Sequence, residues 1–206
     1  SKGTKAKKDG VVIGYDSRNF SDVFAKEAAA VFAGNGIKVY LHTDIVPVPV
    51  LSYSVRQLRC AAGVMITASH NPKEYNGYKV YGPDGAQLSL EDSKQISRLM
   101  QAITDYTKVP SFSFDFFKTG NNIKYVDNSI KQNFFKDVKK LIADKDGFKK
   151  NAKNLTVVYT PLHGAGAKWI PELLKECGVT NLHTVKEQMQ PDGNFSTINL
   201  PNPEDP

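Results

Sequence analysis

Apolar residues fall along this chain in two rhythms: short β-branched runs, and stretches where they recur every three or four positions. Residues 10–15, GVVIGY, form the first run, which empties into Asp16-Ser17-Arg18-Asn19, a polar turn able to cap a following helix. From Ser21 onward Phe24, Ala28, Val31 and Phe32 recur at helical spacing, and Gly34-Asn35-Gly36 offers a left-handed stop. Residues 37–41 predict a second strand, 46–50 a Pro-interrupted loop and 51–58 a helix. The run 61–67, AAGVMIT, is continuous rather than alternating, as expected of a strand covered on both faces. Strands and helices alternating in this order predict a parallel, doubly wound sheet.

Beyond it the rhythm changes. Residues 76–81, NGYKVY, alternate and lead into Gly82-Pro83-Asp84-Gly85, a turn sequence. Ser89, with Asp92 three residues on, opens a helix whose expected buried stripe is Ile96, Leu99, Met100 and Ile103. Between 106 and 122, Pro110, Gly120 and the alternating Phe112, Phe114 and Phe116 predict a domain boundary or an edge strand. Ile130, Phe134, Val138, Leu141 and Ile142 predict an amphipathic helix ending near Asp146-Gly147. A strand over 155–159, a loop over 161–166, a helix with Ile170, Leu173, Leu174 and Cys177 on its core face, a stop at Gly178 and a strand over 182–185 complete a second strand–helix–strand unit. The expected division is 1–120 and 121–206.

Composition narrows the class. At 206 residues, 40% hydrophobic and 23% charged, the chain is an ordinary soluble globular protein, with no apolar run near the roughly 18–20 residues of a membrane span and no apolar signal core. The 27 Lys+Arg against 21 Asp+Glu favour anionic partners, although Lys2, Lys5, Lys7 and Lys8 sit in a leader that reads as solvated tail. No stripe alternates basic residues with aromatics, which argues against nucleic acid. Cys60 and Cys177 lack metal spacing and follow apolar helical pattern, as reduced packing residues in a reducing compartment do. A start at Ser1 and the Pro-broken stretch 199–206 suggest an expressed fragment of a longer protein.

Open α/β sheets gather ligands at the carboxyl ends of their strands, which directs attention to three loops. Residues 67–72, TASHNP, place the Ser69 hydroxyl and the His70 imidazole directly after a buried strand, and Lys79 lies ten residues beyond Ser69. A phosphoserine there would need cationic or metal neutralisation, for which Arg18, His70 and Lys79 are candidates. The same residues allow a structural reading in which Ser69 and Asn71 cap the turn and His70 packs locally. Residues 15–18, YDSR, form a second loop. The third, 160–166, carries Gly164-x-Gly166 at a strand-to-helix turn but lacks both the third glycine of a dinucleotide fingerprint and the Gly-Lys-Ser/Thr of a P-loop. His163 reads equally as a loop histidine or a functional one; His42 and His183 read as core or surface residues. Asp144-Lys145-Asp146 reads as a helix terminus, and no carboxylate cluster suited to a divalent metal is evident.

Taken together, Thr67 through Pro72 followed by Tyr75-Asn76-Gly77-Tyr78-Lys79 resembles the phosphoserine loop of the α-D-phosphohexomutases, the phosphoglucomutase/phosphomannomutase family. Gly14 through Arg18 is similar to that family's early active-site loop, and Thr160 through Gly164 to a loop of its second domain. The resemblance implies two similar mixed-sheet α/β domains with helices on both faces, the second incomplete. It also implies a cytoplasmic, Mg2+-dependent enzyme that moves a phosphoryl group between the 1 and 6 positions of a hexose phosphate, with glucose 1,6-bisphosphate as activator. Ser69 would be the phosphoryl donor and, through its phosphate, a metal ligand; Lys79 and Arg18 would stabilise transferring charge or assist proton transfer, and His70 would orient the site. Family members have four domains, so the aspartate-rich metal loop, the sugar-discriminating loop and an opening Gly-Met-Arg-Gly type segment are missing here. The chain alone is therefore expected to fold without turning over, to leave glucose against mannose or pentose undecided, and to pair with a second copy through uncovered sheet surface. The alternative is a non-catalytic α/β module that binds sugar phosphates or other anions.

Overall fold

The structure is a computed structural model describing residues 2–202, apart from the side chains of Lys2 and Lys118; the last residues of the Pro-broken stretch, 203–206, lie outside it. The basic leader is not a loose tail but a helix, α1 (Lys2–Asp9), whose Lys7 carbonyl accepts from the Lys38 N–H at 3.0 Å. Strand β1 (Val11–Tyr15) then runs through the middle of a five-stranded sheet of order β4 (Tyr78–Tyr81), β3 (Ala62–Ile66), β1, β2 (Val39–Leu41) and β5 (Ile123–Tyr125), where Val11, Val12 and Ile13 are covered on both faces. Its parallel partners are β2 and β3, while β4 is antiparallel to β3 and forms one edge.

Helix α2 (Ser21–Gly34) covers one face, seated on Ala25, Ala29, Ala30 and Ala33. The expected helical period is present, but the buried stripe is the alanine row, one position along from the larger residues; small side chains let the helix lie close to the sheet, and Phe24 faces solvent. On the other face α3 (Val48–Gln57) begins earlier than expected, with Pro49 in its first turn, where a missing N–H costs nothing.

Two expectations fail beyond β4. Helix α4 (Leu90–Gln101) is capped by Ser89, whose hydroxyl accepts from the Asp92 N–H at 3.1 Å, but its stripe is not buried: Leu99 is 71% and Met100 62% exposed. The alternating phenylalanines form no edge strand; they build α5 (Phe114–Thr119), where Phe117 turns into the core and Phe112 and Phe116 stack at 5.2 Å. Ser113 starts that helix by capping the Phe116 N–H, and local capping prevails over a period of two. The chain then adds β5 (Ile123–Tyr125) parallel to β2, so the first sheet runs past residue 120.

The second part comprises α6 (Ser129–Lys140), α7 (Lys145–Asn151), β6 (Thr156–Tyr159), α8 (Ile170–Glu176), β7 (Asn181–Thr184) and α9 (Lys186–Met189). Strands β6 and β7 pair in parallel. The single helix expected up to Asp146 is two, because Asp144 caps a new one through the Gly147 N–H at 2.8 Å. Leu141 is 81% exposed, and α8 buries no residue fully, so the core faces expected of both segments are only partly met. The two parts share one core: Phe135 and Trp169 pack with Val12, Leu51, Met65 and Tyr81 on the α3 side of the sheet.

Candidate active site

The three loops singled out above meet in one cleft of about 410 Å³. Asp16 and Ser17 line it from the end of β1, Met65, Thr67 and Ser69 from the end of β3, and Thr160, Pro161, Leu162 and Gly164 to Gly166 from the end of β6, with Phe195 and Pro201 closing it. This is the carboxyl edge of the sheets, where strand ends open toward solvent.

Ser69 stands at this edge, exposed, with φ of +59°. A left-handed backbone costs a side-chain-bearing residue about 1–2 kcal/mol, and glycine would avoid it. The conformation is held from beneath. The Ser69 N–H donates to Thr67 Oγ1 at 3.0 Å, and the Thr67 hydroxyl donates to Asp16 Oδ2 at 2.5 Å. Asp16 Oδ1 accepts from Ser21 Oγ at 2.8 Å and from the Arg18 N–H at 3.0 Å. His70 Nδ1 lies 3.3 Å from Ser69 Oγ.

Arg18 does not reach into the cleft. It is 3% exposed, and its Nη atoms donate to the carbonyls of Ser69, Asn71, Pro72 and Tyr75 at 2.6–2.9 Å, while Nε lies 3.5 Å from Asp16 Oδ2. Phe195 covers the guanidinium at 5.3 Å. Burial draws the Arg18 pKa down and the Asp16 charge opposes it. Its fork is thus committed to the backbone of the Ser69 loop, where the sequence led us to expect a group stabilising transferring charge or assisting proton transfer. Lys79 is half-buried on β4, opposite Met65. Directly opposed residues share a face, so Lys79 lies on the face of the sheet that Met65 shares with α3, but it is not among the residues that line the cleft.

The loop's approach to β4 is close. A Cβ on Gly77 would lie 2.6 Å from the Thr67 carbonyl oxygen, and the Gly77 carbonyl accepts from the Thr67 N–H at 3.0 Å. In the third loop, His163 is a structural residue: buried, with Nδ1 2.9 Å from the Gln190 carbonyl and Nε2 2.8 Å from Thr197 Oγ1. His42 is buried against Ser54 Oγ at 3.1 Å, and His183 pairs with Asn181 at 2.9 Å, both away from the cleft. Sequence reasoning missed Asp16 and Thr67 as members of the site and Phe195 as its cover; the first two lay within quoted motifs, but nothing local marked Phe195.

The described residues do not fit a divalent cation. Among them no group of three or more His, Cys, Asp or Glu could hold one, and the carboxylate in the cleft, Asp16, already accepts from Thr67, Ser21 and Arg18.

Comparison with known proteins agrees with this geometry. The family model for phosphoglucomutase/phosphomannomutase α/β/α domain I matches residues 2–107, and that for domain II matches residues 132–206. A phosphoglucomutase of Staphylococcus saprophyticus is 39% identical over 195 residues, covering 95% of this chain and 34% of that protein; one of Staphylococcus epidermidis is 40% identical over 197 residues, covering 95% and 35%. The chain thus spans little more than a third of these relatives. A crystal structure from Thermus thermophilus, provisionally classed as a phosphomannomutase, superposes with a TM-score of 0.70 at 29% identity, over 95% of this chain and 41% of that one. With motifs, fold and both domain models in agreement, the chain belongs to the phosphoglucomutase/phosphomannomutase family.

Proposed function

We propose that this chain carries the phosphoserine part of a phosphohexomutase active site, the parent enzyme interconverting hexose 1-phosphate and hexose 6-phosphate. One observation carries the reading: the three sequence loops converge on one cleft, with an exposed serine at its edge in a backbone conformation that glycine would take at lower cost. In the transfer step the Ser69 Oγ–P bond breaks as a sugar hydroxyl oxygen bonds to phosphorus. The hydroxyl proton is released, and Ser69 Oγ recovers one; the His70 imidazole is the group within reach of that oxygen. Lys79, on β4 opposite Met65, would supply positive charge. The reverse step, from the other phosphate of the bisphosphate, restores phosphoserine. Such transfer rests on positioning and charge stabilisation, which these groups provide. The family implies a metal, with Mg2+ as the natural ion, but of these residues only a phosphate oxygen on Ser69 would meet it; its other ligands and the sugar selectivity belong to other parts of the enzyme. The division into a first unit through about residue 120 and a second beyond it belongs to the same reading, with β5 linking the second stretch back into the first sheet. So does a cytoplasmic setting, in keeping with the lack, among the described residues, of any helix long and apolar enough to cross a membrane.

The test is intact-mass and peptide mapping after incubation with glucose 1,6-bisphosphate and Mg2+. Phosphate on Ser69, absent from Ser69→Ala, is expected; equal uptake by that variant overturns the donor role. Saturable glucose 1-phosphate binding without covalent phosphate would favour the sugar-phosphate-binding module instead.

A further inference from the structure

We propose that Asp16 and Thr67 form a positioning relay that sets the left-handed backbone of Ser69. The inference rests on the donor role of Ser69 and adds to it the residues that aim the nucleophile.

Each polar atom in the chain of contacts has one compatible role. An ionised carboxylate only accepts, so the single hydroxyl proton of Thr67 points to Asp16 Oδ2, 2.5 Å away, and a Thr67 lone pair is left to receive the Ser69 N–H at 3.0 Å. The hydroxyl cannot turn round without leaving Asp16 facing a lone pair. Asp16 is itself fixed by Ser21 Oγ and the Arg18 N–H, and its side chain is 13% exposed, so the relay works where water competes weakly. Thr67 is 5% exposed. The result is directional: the orientation of one half-buried carboxylate decides where the amide of an exposed serine points, and with it the φ of +59°.

A turn alone would not require this arrangement, since glycine takes the same φ without support. A buried relay under an exposed, strained serine is explained when the side chain at that position must be a hydroxyl held at a fixed point. Strained backbone of this kind persists where the surrounding structure over-determines it.

The test uses the whole chain with Thr67→Val, which keeps the side-chain shape and removes the hydroxyl, and Thr67→Ser, which restores it. NMR of labelled protein reads the Ser69 backbone through its amide–Hα coupling and Cα shift, and its amide by hydrogen exchange. Loss of the left-handed signature and at least about fivefold faster Ser69 exchange are expected in Thr67→Val, with dispersion elsewhere retained and recovery in Thr67→Ser. Asp16→Asn, which offers an amide N–H2 or a neutral oxygen in place of the carboxylate, should act as Thr67→Val does. Ser69 signals that stay native in both Thr67→Val and Asp16→Asn, or a Thr67→Ser chain that resembles Thr67→Val, would overturn the relay. This readout needs no phosphoryl transfer: a wild-type chain that takes no phosphate on Ser69 while the coupling shifts as expected would sink the donor role and leave the relay standing.

Discussion

Single residues carry the sharpest predictions. Ser69→Gly should raise stability by up to about 1 kcal/mol in urea unfolding, because the left-handed cost disappears, while ending phosphate uptake; a destabilised variant would show that the serine supports its own loop. Lys79→Ala should slow phosphoryl transfer on the order of a hundredfold with stability changed by no more than about 0.5 kcal/mol, and an unchanged rate would remove Lys79 from the site. His42 gives a pH signature. Burial lowers its pKa from 6.5 to about 4, so the unfolded chain binds a proton over that range while the folded one does not. The contribution is complete above pH 6.5 and declines as pH falls toward 4, by roughly 3 kcal/mol at most. Urea midpoints measured from pH 7 to 4.5 should fall for the wild type and less steeply for His42→Gln; parallel slopes would refute the assignment. At this scale the place of Ser69 at the cleft was legible because the motif put it directly after a buried strand. The role of Arg18 was not: nothing in its position distinguishes a guanidinium that meets a phosphoryl group from one that binds four carbonyls.

At the level of elements, the sequence marked starts and stops better than faces. Ser89 and Gly178 act where they were expected to, since caps and left-handed stops are decided within a few residues. The buried face of α2 and the packing of α4 depend on what lies across from them, which no local pattern contains. Helix α4 therefore combines a helical apolar period with solvent exposure, and separately Phe24 and Tyr78 leave apolar surface open beside β4. We expect self-association that increases with concentration, with Leu99→Lys tolerated in stability within about 0.5 kcal/mol and Phe24→Lys weakening the association; light scattering on the three proteins checks both. By contrast, Phe117→Ala, in a helix where sequence alone suggested a domain boundary or an edge strand, should cost about 3–5 kcal/mol, because its ring is 6% exposed within the core.

For the molecule as a whole, the alternation of strands and helices foretold the α/β class, but not that β5 would reach back across the expected boundary into the first sheet. Nor could it show that Trp169 would join the core of the first part, edge-on to Phe134 and Phe135. That shared core predicts joint unfolding. Trp169 is the sole tryptophan, so its fluorescence and far-ultraviolet circular dichroism should give coincident urea transitions. Two separated transitions would mean that the parts melt independently.

A trans peptide group is a small dipole, with its oxygen and its hydrogen on opposite sides. Arg18 draws in the oxygens that precede His70, Lys73 and Asn76, and so turns the hydrogens of those three residues the other way, toward the outside of the loop. A buried cation outside the lining of the cleft thereby passes its sign on through the loop, carried by backbone polarity instead of by a side chain. On the proposed reading an arriving dianion would meet, besides the Lys79 side chain, a field already oriented by the loop backbone.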